Sequence, residues 1–207
     1  MNKLGDIIKA GDYKDKMCIS RIFKASCTPE QFSSTFLAAA QRRIYGNSFT
    51  VDESNKEVIN QLYYYLVGSD KFTGNLVKGI LLLGVIGNGK TVLMESFVEV
   101  FNLASNKIIT YIHAKDISRI IVDKELGYLN KRPLFIDDIG KEQEAIKNYG
   151  TTIHPFEDVI NERYKNFGLT FGTSNYKLED LPYDKHTLDR MKQMFNIIVL
   201  PGKSRRS

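Results

Sequence analysis

From Gly79 onward, short apolar runs alternate with amphipathic stretches. Ile80–Leu83, Ile108–Ile112, Leu134–Ile136, Leu169–Thr173 and Ile197–Leu200 have strand length. Lys90–Phe101, Ile117–Leu126, Phe156–Tyr164 and Leu188–Met194 carry helical patterning between them. Strand and helix in turn predict an α/β domain, a parallel five-stranded sheet with helices on both faces. Upstream, Thr28-Pro29-Glu30-Gln31 signs a helix start: Thr28 as cap, Pro29 in the first turn, Gln31 closing a capping box. That helix runs through Phe32, Phe36, Leu37, Ala40 and Arg43 and ends at Gly46-Asn47. A second helix is predicted from Asp52 to Val67, with Val58, Leu62, Tyr65 and Leu66 on one face. Tyr63-Tyr64-Tyr65 reads as core and rim packing. The first 27 residues lack a long period and read as a loosely packed arm or short helices.

The chain has 207 residues, 43% hydrophobic and 26% charged, a globular composition that excludes a wholly disordered chain. No apolar run approaches the roughly 20 residues of a membrane helix. Met1-Asn2-Lys3-Leu4-Gly5-Asp6 is too polar for a signal peptide. Cys18 and Cys27 cannot alone form a disulfide framework or a zinc site. The expectation is a cytoplasmic protein with reduced thiols. The net charge of +5 is uneven. Residues 1–48 hold eight Lys or Arg against four Asp or Glu, and residues 49–207 hold 21 against 20. The chain thus divides into a basic, partly helical extension, 1–48, and a near-neutral domain, 49–207. A basic extension permits contact with nucleic acid or an acidic partner.

Gly84-Val85-Ile86-Gly87-Asn88-Gly89-Lys90-Thr91 matches G-x-x-x-x-G-K-[ST] and joins a predicted strand to a predicted helix, the context of a phosphate loop. Glycines let successive N–H groups curl around phosphate oxygens, and the helix N-terminus adds a positive dipole end. Lys90 supplies a cation for the outer phosphates, and Thr91 a hydroxyl for Mg²⁺. Leu134-Phe135-Ile136-Asp137-Asp138 is an apolar strand ending in paired acids, a Walker B arrangement 47 residues after Lys90. Asp137 would hold the metal and Asp138 would polarise the attacking water. Leu169–Asn175 is the third constellation, the predicted strand Leu169–Thr173 ending in small polar groups. Because parallel strands share a C-terminal edge, Asn175 is expected beside the phosphate loop and Asp138.

The order Gly84–Thr91, Ile136-Asp137-Asp138-Ile139-Gly140, Thr173-Ser174-Asn175 and Leu188-Asp189-Arg190-Met191 resembles the AAA+ ATPases of the DnaC/DnaI helicase-loader and IstB transposition-helper group. The resemblance covers roughly residues 45–206 and implies a P-loop NTPase of the AAA+/ASCE class, a three-layer sandwich behind a short helical extension. It implies ATP and Mg²⁺ as ligands, with Lys90 and Thr91 as the Walker A pair beside Gly84, Gly87, Asn88 and Gly89. Asp137 and Asp138 become Walker B and Asn175 sensor 1. Arg190 takes the arginine-finger position, reaching a neighbouring copy's nucleotide by self-association. Gly202-Lys203-Ser204-Arg205-Arg206 resembles the group's terminal Gly-x-Ser-x-Arg, which makes Arg206 a sensor 2 residue. An arginine suits both roles, being always charged and forked to match phosphate.

The implied partner is a replicative DNA helicase, met by the extension 1–48, with single-stranded DNA nearby. The alternatives are an IstB-like accessory ATPase of a transposase, and an adaptor that holds ATP with little turnover. Two departures from the group stand out. Ala114–Pro133 is filled by a single predicted helix, without the helical insertion that grips single-stranded DNA in relatives. Only Pro201–Ser207 follow the last predicted strand, which leaves no room for a helical lid.

Overall fold

The computed structural model describes residues 24–105, 107–124, 129, 132–148 and 151–205. Helix α1, Pro29–Arg42, starts in the predicted capping box: the Thr28 hydroxyl accepts from the Gln31 N–H, and the Gln31 side chain accepts from the Thr28 N–H. It buries Phe32, Phe36, Ala39 and Ala40 along one face. Helix α2, Lys56–Val67, buries Val58, Leu62, Tyr65 and Leu66 and ends at Gly68, whose φ of 64° is left-handed. It starts later than the pattern suggested, because Asp52–Asn55 forms a turn in which the Asn55 side chain accepts from the Asp52 N–H.

The α/β unit then follows: β1 Gly79–Leu83, α3 Lys90–Ser105, β2 Thr110–His113, α4 Ile117–Lys124, β3 Leu134–Ile139, a small hairpin of β4 Ile146–Asn148 and β5 Thr151–Ile153, α5 Pro155–Lys165, β6 Thr170–Ser174, α6 Lys185–Met194 and β7 Phe195–Val199. The main sheet has the order β2-β3-β6-β1-β7, and every pair is parallel. The five predicted strands are these five.

Alternation along the strands divides the core between the two faces of the sheet. Ile80, Leu82, Phe135 and Phe171 face a cluster with Phe36, Leu62, Phe97 and Phe101 from α1, α2 and α3. Leu81, Leu83, Leu134 and Ile136 face the other, with Ile117, Phe156, Val159 and Met191 from α4, α5 and α6. The result is a three-layer sandwich. Phe171 meets the rings of Tyr65, Phe97 and Phe101 at 5.9, 5.7 and 5.9 Å. Burying one such ring contributes roughly 1.5–3 kcal/mol. Among the described residues no helix is long and apolar enough to cross a membrane.

Three details depart from the pattern in the sequence. The β4–β5 hairpin lies in a polar stretch and has strands of three residues, below the length at which alternation is visible. Helix α6 begins at Lys185 because Asp184 caps it, accepting from the Thr187 N–H at 2.6 Å. Strand β3 runs on through both aspartates, with its register broken by a bulge between Ile136 and Ile139. Residues 1–23 of the extension 1–48 lie outside the described residues, and the rest carries α1, whose Phe32 and Phe36 join the core of the domain, so the boundary at 48 does not separate an independent arm.

Candidate functional site

Parallel pairing places the strand ends side by side. Leu83 is in register with Ser174 and Val199, and His113 with Asp137. The loop after β1, the acids of β3 and Asn175 after β6 therefore share one edge. They border a cleft of about 730 Å³, lined at this end by Gly87, Lys90, Thr91, Asp138, Lys141 and Asn175. That volume is within the usual range for a small-molecule site. The segment from Arg43 to Thr50 borders the other end.

The loop's shape follows from its glycines. A Cβ on Gly84 would stand 2.4 Å from Nδ2 of Asn88 and 2.7 Å from the Leu200 carbonyl oxygen, so only glycine fits. Gly87 and Gly89 have φ of 81° and 101°, the left-handed region that other residues reach at a cost. Asn88 is buried and donates Nδ2 to the Leu200 carbonyl at 2.9 Å, which ties the loop to the chain beyond β7. Lys90, only 4% exposed, donates to the carbonyls of Gly84 and Val85 at 2.8 Å each, to Oδ1 of Asn88 at 3.2 Å and to Oδ1 of Asn175 at 2.9 Å. A buried ammonium requires such a ring of oxygens.

The two aspartates differ. Asp137 is buried, and its Oδ1 accepts from the Thr91 hydroxyl at 2.9 Å and the Thr173 hydroxyl at 2.6 Å. Partial burial, then the charges of Asp137 and Glu95, push the neighbouring Tyr111 phenol up to about 12. Asp138 sits at the bulge with φ of 59°, unusual for a residue with a side chain. Its N–H donates to the Thr173 hydroxyl at 2.9 Å. Its Oδ1 accepts from Asn175 at 3.1 Å, its Oδ2 stands 2.7 Å from the Lys141 ammonium, and Nε2 of His113 lies 3.6 Å from that same oxygen.

The turn after β3 is braced as well. The Gly140 N–H donates to Oε2 of Glu142 at 2.9 Å, and the Tyr183 hydroxyl donates to its Oε1. Burial, then the Glu142 carboxylate, holds the Tyr183 phenol far above its usual range.

Thr91 and Asp137 offer a hydroxyl and a carboxylate oxygen 2.9 Å apart, and hard oxygen donors of this kind suit Mg²⁺. His113, Asp137 and Asp138 also bring ligand atoms within 4.8 Å of one another.

Lys90, Thr91, Asp138 and Asn175 thus line one cleft edge, with the buried Asp137 bonded to Thr91 behind it. Arg190 lies elsewhere: on α6, its guanidinium is 5.5 Å from the Tyr164 ring and donates to Asn161, and it does not line the cleft. Arg206 lies outside the described residues. Its neighbour Arg205, given no role by the motifs, does reach the loop. The Arg205 N–H donates to the Gly87 carbonyl at 2.8 Å, and Nη2 lies 2.8 and 2.7 Å from the two carboxylate oxygens of Asp52. The Ser54 hydroxyl, then Arg205, holds the Asp52 carboxyl below its usual range. Lys141 and Glu142 were not singled out by the sequence, and Thr173 stood in the Thr173-Ser174-Asn175 motif without a role of its own.

No protein-family model matches this chain, and no curated protein matches it in sequence. Solved structures do. The crystal structure of the DnaC helicase loader aligns with a TM-score of 0.60 at 20% identity, over 80% of this chain and 98% of that one. The crystal structure of DnaI aligns at 0.57 and 21%, over 91% and 99%. AMPPCP-bound DnaA from Aquifex aeolicus aligns at 0.55 and 16%, over 73% of this chain and 48% of that one. With a central parallel sheet of five strands and helices on both faces, the chain has the same three-layer α/β fold as these structures.

Proposed function

We propose that this chain is an Mg²⁺-dependent ATPase that loads a replicative DNA helicase. One observation carries the ATPase reading: Lys90, Thr91, Asp138 and Asn175 at one cleft edge, and Asp137 buried beside them, come from three separate strand ends and are joined through Thr173 into one set of hydrogen bonds. In this reading the loop N–H groups and Lys90 bind the β- and γ-phosphates. Thr91 and Asp137 hold Mg²⁺, which would supply positive charge against the phosphate oxygens. Asp138 and Asn175 orient a water whose oxygen attacks the γ-phosphorus. Its proton passes to the Asp138 carboxylate, the bond to the leaving β-phosphate oxygen breaks, and ADP and phosphate result. Arg190 acts on the nucleotide of a neighbouring copy, and Arg206 serves as a sensor beside the chain's own.

The helicase part of the reading is supported by the likeness in fold to the DnaC helicase loader and DnaI. The basic extension 1–48 is its partner-binding element, and it suits acidic protein or single-stranded DNA.

The test is titration of the full chain with a fluorescent ATP analogue, alongside phosphate release. Lys90→Ala is expected to abolish binding. Asp138→Asn is expected to keep binding and lose turnover. Intact binding in Lys90→Ala would refute the site assignment. Capture of a transposase rather than a helicase by the full chain from its own cells would refute the loader assignment and leave the ATPase standing.

A further inference from the structure

Asp138 is engaged on both of its oxygens. Oδ1 accepts from Asn175 at 3.1 Å, and Oδ2 carries the Lys141 ammonium at 2.7 Å. Each oxygen keeps a second acceptor site, but the Lys141 ammonium competes with an attacking water for Oδ2. Hydrolysis as proposed above is therefore helped when the pair opens.

Lys141 is placed to leave. Its N–H donates to the Asp138 carbonyl at 3.2 Å, so its backbone stays in the turn after β3. Its side chain is 42% exposed and lines the same cleft as the phosphate loop. An ion pair this open to water is weak, so leaving it costs little. The flexible stem of lysine lets the ammonium swing while the backbone holds.

What the cation would move to is set by the row of side chains. Lys90 Nζ is 2.9 Å from Oδ1 of Asn175, Asn175 Nδ2 is 3.1 Å from Asp138, and Asp138 is 2.7 Å from Lys141. Two cations thus flank one amide and one carboxylate at the cleft edge. A triphosphate held by the loop and Lys90 directs its last phosphate, carrying about two negative charges, at this row. A diphosphate ends one phosphate short of it.

We propose that Lys141 is a cation for the terminal phosphate, supplied by the chain to its own site. Without nucleotide it neutralises Asp138. With a triphosphate it passes to the γ-phosphate oxygens, which frees Asp138 for water and tells ATP from ADP. The inference rests on the reading of the cleft as a triphosphate site.

The experiment measures dissociation constants of the full chain for ADP and for AMPPCP, whose methylene bridge resists hydrolysis, in the native protein, Lys141→Met and Lys141→Arg. A hydrogen bond to a charged group is worth enough that Lys141→Met should weaken AMPPCP about tenfold or more and leave ADP within about twofold. Lys141→Arg should recover most of the loss. An unchanged ratio of the two constants in Lys141→Met would overturn the proposal and leave the ATP site standing. So would tighter AMPPCP binding, which would make Lys141 only a brake on Asp138. A native chain that binds neither nucleotide would overturn both.

Discussion

Thr173 provides a test of how the two aspartates are held. Its side chain is fully buried, and its one hydroxyl serves both acids: it accepts from the Asp138 N–H at 2.9 Å and donates to Asp137 Oδ1 at 2.6 Å. Thr173→Val keeps the shape and removes both bonds. The partly buried Asp138 N–H then lacks a partner, at about 1 kcal/mol, and a buried carboxylate loses a donor, at about 1.5–3 kcal/mol. The two losses share one group and relax together, so the sum is about 2–4 kcal/mol. Thr173→Ser keeps the hydroxyl and loses one methyl, about 1 kcal/mol.

Chemical denaturation of the native chain and both variants measures the difference. We expect Thr173→Val to lie about 1–3 kcal/mol below Thr173→Ser, the loss of the hydroxyl bonds less the methyl that serine gives up. The same pair separates packing from function. Asp138 occupies a left-handed backbone position at a bulge, and the bond to Thr173 helps to hold it there. Turnover should fall in Thr173→Val, with nucleotide binding less affected, and return in Thr173→Ser. Equal stability of the two variants, or native turnover in the valine form, would refute the reasoning.

Two further expectations follow from single contacts. Asp184 caps α6, and its carboxyl is held below its usual 3.8, chiefly by the Thr187 N–H. A depressed carboxyl stabilises the fold above its unfolded value and loses that contribution as pH falls through the lowered one. Asp184→Ala should cost about 1 kcal/mol near neutral pH, and a denaturation series should show the gap closing below 3.8; a gap that persists in acid would exclude the charged cap. Arg190→Ala should keep ATP binding and lose the rise of specific activity with protein concentration. An unchanged rise would reduce Arg190 to its contacts with Asn161 and Tyr164.

What was legible in the sequence had local causes. The glycine-rich loop after β1 could be read because Gly84, Gly87 and Gly89 fall in one short motif, although one neighbour that Gly84 must clear, the Leu200 carbonyl, comes from a distant segment. The first helix could be read because Thr28 and Gln31 bond to each other's backbone. The parallel sheet followed from the order of apolar runs, and with it the approach of Asn175 to Asp138. The unread parts depend on contacts between distant segments. Arg205 reaches Asp52 only because the chain beyond β7 passes over the loop. Arg163, on α5, is fully buried, and its donors meet Thr170 and the carbonyls of Leu129, Arg132 and Leu169; an arginine in a polar helix pattern gives no hint of that. Lys141 is a local neighbour of Asp138, yet their pairing depends on a bulge and a left-handed Asp138 that apolar patterning does not reveal.

These contacts also bear on how a nucleotide would bind. In this structure the site's charges already answer one another: Lys90 lies among four oxygens, Asp137 takes two hydroxyls, and Asp138 takes Asn175 and Lys141. A buried ammonium or carboxylate without such partners would cost several kcal/mol. Binding a triphosphate is therefore an exchange of partners, and its net strength is the difference between two well-satisfied arrangements. Lys90 would exchange the Gly84 and Val85 carbonyls for phosphate oxygens, and Gly87 and Gly89 leave the rest of the loop free to turn its N–H groups toward them. A ligand that offers Lys90 fewer oxygens than it surrenders gains nothing from the exchange. The cleft should on this ground prefer a phosphate chain to a single carboxylate, whatever the partner the protein serves.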